Sequence, residues 1–111
     1  MGHPYFSEWV VMLDGASDYN QTGEAIAVNP SYAQSVQLHW GAGARDGEVI
    51  VECADSKNFA GTWAELKRIP CTGDNKLEIY EHSGPCVFIR TRITKAIAGG
   101  SVTTKLQMMV G

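Results

Sequence analysis

The 111-residue chain has little charge and no long apolar run. Charged residues make up only 19 % of it, against roughly 25 % in typical soluble proteins. No apolar stretch approaches the ~20 residues that a membrane-spanning helix needs, so we expect no membrane partner. The nine Lys and Arg residues form no basic run and the net charge is −3, which argues against direct nucleic-acid binding.

Cysteine is also scarce. The three residues, Cys53, Cys71 and Cys86, are far apart and odd in number, without the spacing of a zinc site. We therefore predict free thiols in a reduced compartment, no metal and no cofactor. Segments 55–58 and 72–75 carry possible calcium ligands, but Asp and Asn are also the residues that turns prefer, and the turn interpretation is favoured.

Catalytic motifs are absent as well. The sequence contains no GxSxG, HExxH or phosphate-loop pattern, and its acidic residues are scattered. The three histidines, His3, His39 and His82, fall in separate segments, so we predict that the protein is not an enzyme. Residues 1–4 include no basic region, so we expect no signal peptide and folding in the cytoplasm in which the chain is made.

What the sequence does contain is period-two alternation of apolar and polar residues between turn signals. This pattern predicts a small all-β protein, an antiparallel β-sandwich of about eight strands, in a single domain over residues 1–111. The predicted strands are Tyr5–Met12, Glu24–Val28, Gln34–Trp40, Glu48–Ala54, Thr62–Ile69, Lys76–His82, Cys86–Thr94 and 101–110.

The alternation also predicts which side chains face the core. Trp40 shares a face with Val36 and Leu38 and is predicted to be buried, whereas Leu77 and Ile79 are predicted to point inward from their strand. Trp63 is left between two interpretations, a sugar-stacking platform and a packed ring. The segment GAGARDG, between the third and fourth predicted strands, is predicted to close a β-hairpin.

One stretch resembles the small β-sandwich proteins of tailed-phage particles. Its elements are the strand that ends in Trp40, the turn Asp46-Gly47, the strand Glu48–Ala54 and the later Trp63 with Ser56 and Asn58 before it. The segment Gly84–Thr94 is similar to the strand that closes such domains. The chain resembles the decoration, or staple, proteins of short-tailed phage capsids of the epsilon-15 type, and the resemblance extends from Val36 to the C-terminus.

This resemblance implies a jelly-roll-like sandwich on the outer surface of the virion. Its partners would be the major capsid protein and either a second copy in a homodimer or neighbouring copies of the same chain. Its function would be to stabilise the shell, and it would be synthesised in the cytoplasm of a host bacterium. We expect the contacts to come from arms, loops and outward side chains rather than from the core. The candidate contact residues are Pro4, Tyr5 and Phe6 in an N-terminal arm of residues 1–6, Tyr19 in the loop Asp14–Gly23, and the outward Phe88 and Met109.

Two other functions stay open at this stage. A carbohydrate-binding β-sandwich module would present a solvent-exposed row of aromatic rings flanked by Asn, Asp or Gln. An adaptor domain of the phage tail or baseplate would share the architecture and would be distinguished by a low copy number in each particle.

Overall fold

The computed structural model of this chain describes the backbone of residues 5–6, 8–29 and 32–110, and the side chains of 8–29 and 32–108. In these residues it contains nine β-strands and no helix, hence no helix that could span a membrane. The predicted all-β class is therefore confirmed. The strands are β1 (Tyr5–Phe6), β2 (Val10–Ala16), β3 (Ile26–Ala27), β4 (Gln34–Trp40), β5 (Asp46–Ala54), β6 (Ala64–Pro70), β7 (Lys76–His82), β8 (Phe88–Ala98) and β9 (Val102–Val110).

The strands form two antiparallel sheets. Sheet 1 has the order β2-β9-β4-β7, with β1 continuing the edge formed by β2, and sheet 2 has the order β3-β8-β5-β6. In chain order from β2 to β9, the first strand pairs with the last, the second with the last but one, and so on inward. The pairs are β2 with β9, β3 with β8, β4 with β7 and β5 with β6. A long antiparallel ribbon rolled up in this way is a jelly roll, as predicted.

The core lies between the two sheets and follows from the alternation in the central strands. Sheet 1 contributes Val36, Leu38 and Trp40, all fully buried, and sheet 2 contributes residues such as Val49 and Ile93. The other central residues of this cluster are Leu13, Val51, Ile69, Ile89, Val102 and Leu106. Each large apolar side chain buried in this way stabilises the fold by about 1.5–3 kcal/mol relative to its exposed state.

Several polar groups within this core are paired. The hydroxyls of Thr91 in sheet 2 and Thr104 in sheet 1 lie 2.6 Å apart and join the two layers, and Thr104 Oγ1 also accepts a hydrogen bond from the Leu13 amide. Trp40 donates its indole N–H to Glu78 Oε2 at 2.7 Å. The prediction that Trp40 is a core residue is confirmed, and its ring is not available to a ligand.

The predicted hairpin over GAGARDG is wrong. β4 pairs with β7 and β9, whereas β5 pairs with β6 and β8, so residues 41–45 cross from sheet 1 to sheet 2. The crossing is tight: Gly43 has φ +84°, and a Cβ there would lie 2.5 Å from the carbonyl oxygen of Gly99. Alternation predicted the strands correctly but contains no information about which strands become neighbours.

The predicted inward direction of Leu77 and Ile79 is also wrong. In the β4–β7 register, Leu77 lies opposite His39 and Ile79 opposite Gln37, both on the outer face of sheet 1. The neighbours that point inward from β7 are Glu78, which accepts the Trp40 bond, and the half-buried Tyr80. Alternation predicted the phase with the apolar residues inside, whereas the fold adopts the phase with these residues outside.

Candidate contact surfaces

The outer face of sheet 2 carries an ion network around one buried carboxylate. Glu52 on β5 is only 1 % exposed, and it accepts hydrogen bonds from Arg90 Nε at 2.7 Å and from Arg92 Nε and Nη2 at 3.3 Å. Arg92 also donates to Asn20 Oδ1 in the loop before β3. The buried negative charge is therefore matched by two guanidinium groups, as a carboxylate in this position requires.

Trp63 closes this network from the loop between β5 and β6. Its ring is 5 % exposed, the Arg90 guanidinium carbon lies 3.8 Å from the ring centroid, and its indole N–H donates to the Phe59 carbonyl at 2.9 Å. A guanidinium stacked on an indole is a favourable cation–π arrangement. This contact decides the question left open by the sequence: Trp63 is a packed ring and not a sugar platform.

A second group of charges continues along the same face. Glu48 accepts a hydrogen bond from the Thr94 hydroxyl at 2.7 Å and is paired with Arg68, which also binds Glu65. The Thr94 hydrogen bond, and then Arg68, hold the pKa of Glu48 below its ordinary value of 4.5. The charged side chains on this face thus bind one another.

The outer face of sheet 1 differs from that of sheet 2 in the exposure of its side chains and in their pairing. Leu77 and Ile79 on the edge strand β7 are 54 % and 57 % exposed, and Val11 on β2 is 44 % exposed. Across the described side chains, those of Gln37 and Lys105 have no hydrogen-bond or ion-pair partner, although they lie directly opposite each other on β4 and β9. This face presents unpaired polar groups and aliphatic side chains to its surroundings.

A groove of about 560 Å³ runs over this face of sheet 1. Side chains from β4, β7, β9 and the loop before β7 line it, and we call it the polar groove. Its lining residues are Gln37, His39, Asn75, Leu77, Thr103 and Lys105. None of these lining residues is a tryptophan, tyrosine or phenylalanine.

A second, apolar groove of about 360 Å³ lies where β5 ends and β6 and β8 begin. We call this region of the sandwich the apolar end. Its lining residues are Cys53, Ala54, Asp55, Ala64, Pro85, Cys86 and Val87. Val87 is 42 % exposed, and Phe59, in the loop that begins at Asp55, is also exposed. Such a groove can accept an apolar side chain from a partner.

Two of the three cysteines meet at the apolar end. Burial, and then a hydrogen bond with the Cys53 thiol, raise the pKa of Cys86 to about 12. A thiol with so high a pKa is protonated at neutral pH and is a poor nucleophile. Cys71 is half-buried, and its thiol lies 3.7 Å from the Gly73 carbonyl oxygen.

Some predicted contact residues are brought together by the fold. β1 pairs with the end of β9, which places Tyr5 opposite Val110 and Phe6 opposite Met109; the side chains of Tyr5, Phe6 and Met109, and all of Pro4, lie outside the described residues. β9 ends beside the start of β4, next to the end of β7. The chain then passes from β7 through the lining residues of the apolar end into β8, so β1 and the apolar end lie towards the same end of the sandwich.

Of the other predicted contact residues, Phe88 lies beside the apolar end and Tyr19 lies far from it. Phe88 is half-buried, points outward from sheet 2 as predicted, and lies opposite Ala54 beside the apolar end. Tyr19 is 68 % exposed. The amide of its neighbour Asn20 donates a hydrogen bond to the carbonyl oxygen of Ile93. Ile93 is five residues beyond Phe88 on β8, which corresponds to roughly 17 Å along the strand. A contact surface at the apolar end therefore includes Phe88 and excludes Tyr19.

Sequence reasoning missed both grooves. Gln37, His39, Thr103 and Lys105 point outward from their strands, but nothing in the sequence showed that β4 and β9 would be adjacent. Among the described residues, no group of three or more His, Cys, Asp or Glu side chains could hold a metal ion.

The architecture is shared with a protein of prophage origin. The structure is similar to the crystal structure of SPBc2 prophage-derived protein YomS, with a TM-score of 0.69, 13 % sequence identity, and coverage of 99 % of this chain and 97 % of that one. No protein-family model matches the sequence, and no curated protein matches it either. At this identity the likeness concerns the fold, which extends over nearly the whole of both chains.

Proposed function

We propose that this protein is a non-enzymatic structural component of a bacteriophage particle that binds the outer surface of the major capsid protein and stabilises the shell. Three observations support the proposal: the jelly roll, the fold shared with a prophage-derived protein, and the resemblance of residues 36–111 to phage decoration proteins. The observation that carries the choice of surface is the apolar end, a groove lined almost entirely by small apolar side chains and thiols.

The apolar end suits a contact with a protein. Val87 is exposed at the rim of the groove and the buried Cys86 lies next to it in the chain, so a partner's aliphatic or aromatic side chain would contact both. The paired edge formed by β1 lies towards the same end and would add the arm of residues 1–6 to the surface. Burial of an apolar anchor in such a groove is the usual source of affinity at protein interfaces.

Stabilisation follows from mass action. A protein that binds the assembled lattice and not the free subunits lowers the free energy of the assembled state, as a ligand does for the state it prefers. Contacts repeated over many symmetry-related sites, and between neighbouring copies, would add avidity. No catalytic step is needed for this function.

The experiment has two parts. Quantitative mass spectrometry of purified particles should count hundreds of copies per particle, whereas a handful would indicate the tail or baseplate adaptor instead. Co-sedimentation of the purified protein with capsids that lack it should show saturable binding. Absence of the chain from particles, together with no binding to such capsids, would overturn the proposal.

A matched pair of variants tests the surface. Val87→Asp introduces a charge at the apolar end, and Val11→Asp introduces the same charge at a valine of nearly equal exposure, 44 % against 42 %, on sheet 1. We expect Val87→Asp to weaken capsid binding at least tenfold, since a buried unpaired carboxylate costs several kcal/mol, and Val11→Asp to have little effect. Equal binding by both variants would exclude the apolar end, and unchanged binding after deletion of residues 1–6 would exclude the arm.

A further inference from the structure

We infer that the polar groove on the outer face of sheet 1 is a binding site for a short acidic saccharide. This inference goes beyond the proposed function, because the groove lies on the face of the sandwich and involves none of the residues of the apolar end. A copy bound to a capsid through the apolar end would leave the groove accessible.

Strand pairing gives the groove a regular floor. Gln37 lies directly opposite Lys105, and His39 lies directly opposite Thr103, so four polar side chains of β4 and β9 form a rectangle. Opposite side chains in such a pair are about 5 Å apart at Cβ, and next-but-one residues along a strand are about 7 Å apart. A patch of this size matches one or two sugar rings.

The groups on this floor have hydrogen-bonding capacity to spare. Within the described side chains, those of Gln37, His39 and Lys105 have no partner, and the Thr103 hydroxyl accepts one bond from the Gly15 amide, which leaves its own proton free to donate. Amides and hydroxyls both donate and accept, as sugar hydroxyls do. Leu77, on β7 opposite His39, adds an apolar wall that can contact the C–H face of a ring.

Charge narrows the class of ligand. The protein carries a net charge of −3, yet none of the six residues that line the groove is acidic, and one of them is Lys105. Its ammonium group has no carboxylate partner among the described residues, so a carboxylate on the ligand would pair with it. A hydrogen bond between charged groups is worth more than a neutral one, which favours acidic over neutral sugars.

A peptide strand fits the groove less well than a saccharide. β4 is hydrogen-bonded to β7 on one side and to β9 on the other, so the backbone of β4, in the middle of the groove, has no free groups with which to pair an added strand. Only side chains are available there. Their mixed donors and acceptors match a ligand that carries hydroxyls on most of its ring carbons.

The test is a titration of ¹⁵N-labelled protein followed by ¹H–¹⁵N spectra. The acidic probes are a galacturonic acid trisaccharide and sialyllactose, and the neutral probes are the matching galactose trisaccharide and lactose. We expect saturable shifts in the outward residues of β4 and β9, with at least one acidic probe binding about tenfold more tightly than its neutral counterpart. The inference would be overturned if no probe caused shifts at about 20 mM, a concentration roughly a hundred times the Kd of a moderately tight saccharide complex.

Two charge-matched variants complete the test. Lys105→Gln should weaken binding of the acidic probe roughly tenfold and leave the neutral probe unchanged, whereas Lys67→Gln, on β6, should change neither. The same spectra report whether each variant is folded. Equal effects of both variants, or acetate binding as tightly as the acidic saccharide, would overturn the assignment of the groove to an acidic saccharide.

Discussion

The two outer faces of the sandwich have opposite chemistry. On sheet 2, the carboxylate of Glu52 binds two arginines, of which Arg90 stacks on Trp63 and Arg92 also binds Asn20. On sheet 1, Lys105 and Gln37 face outward without partners among the described side chains, beside two exposed aliphatic residues of β7. The charged groups on the face of sheet 2 are paired with one another, whereas polar groups on the face of sheet 1 are free to bind a ligand.

The difference separates charges that hold the fold together from groups that can serve a ligand. A buried ion network contributes to a unique structure only when all of its members are paired, and the Glu52 network meets that condition. Polar groups left open to solvent contribute little to stability and can be changed at small cost. Three predictions test this contrast, in order of decreasing effect.

The largest effect is expected from Glu52→Gln. The substitution keeps the shape of the side chain but leaves Arg90 and Arg92 without their buried countercharge, so we expect a loss of about 3–5 kcal/mol in the free energy of unfolding. Urea denaturation monitored by tryptophan fluorescence measures it. Gln37→Ala, on the open face, is the control and should stay within about 0.5 kcal/mol of the wild type. Similar losses in both variants would remove the distinction between the faces.

A smaller effect, dependent on pH, is expected at Glu48. Its pKa in the folded protein is held below 4.5, chiefly by the Thr94 hydroxyl, so the folded state binds protons less readily than the unfolded state. The stabilisation is therefore complete above pH 4.5 and is lost as the pH falls through the folded pKa. The difference in unfolding free energy between the wild type and Glu48→Gln should shrink over that range.

The control for this experiment is Glu81→Gln, which removes one carboxylate from the exposed residues of β7 and so separates loss of charge from loss of hydrogen bonds. Acid titration of both variants by circular dichroism gives the comparison. If the Glu48→Gln difference stays constant from pH 7 down to about pH 2, well below the ordinary range of a glutamate, the hydrogen bonds of Glu48 do not stabilise the fold.

The smallest effect is expected at Leu77 and Ile79. Because both side chains are more than half exposed, Leu77→Thr and Ile79→Thr should change the free energy of unfolding by no more than about 0.5 kcal/mol. Val49→Thr, a similar change at a fully buried position, should cost about 1–3 kcal/mol. A loss above 1 kcal/mol in either exposed variant, by thermal denaturation, would show that the face of sheet 1 is packed rather than open.

Much of the fold could be predicted from local pattern. Alternation identified the long strands and placed Trp40 in the core, because a strand with one buried face repeats its apolar residues with a period of two. It failed for β7, where the exposed Leu77 and Ile79 occupy the apolar phase of the strand. Trp63 could not be assigned at all, since its burial depends on Arg90, a residue 27 positions away on another strand.

The candidate sites were much less predictable than the strands. Residues that line the polar groove come from β4, β7 and β9, which are adjacent only because the chain rolls up as a jelly roll. The sequence by itself determined the class of fold, the positions of most strands and, outside β7, the side of the strand on which most polar residues lie. Only the tertiary structure decided which strands are neighbours, and hence which face is closed by ion pairs and which is open, because pairing across long sequence separations depends on the global packing of both sheets and not on local pattern.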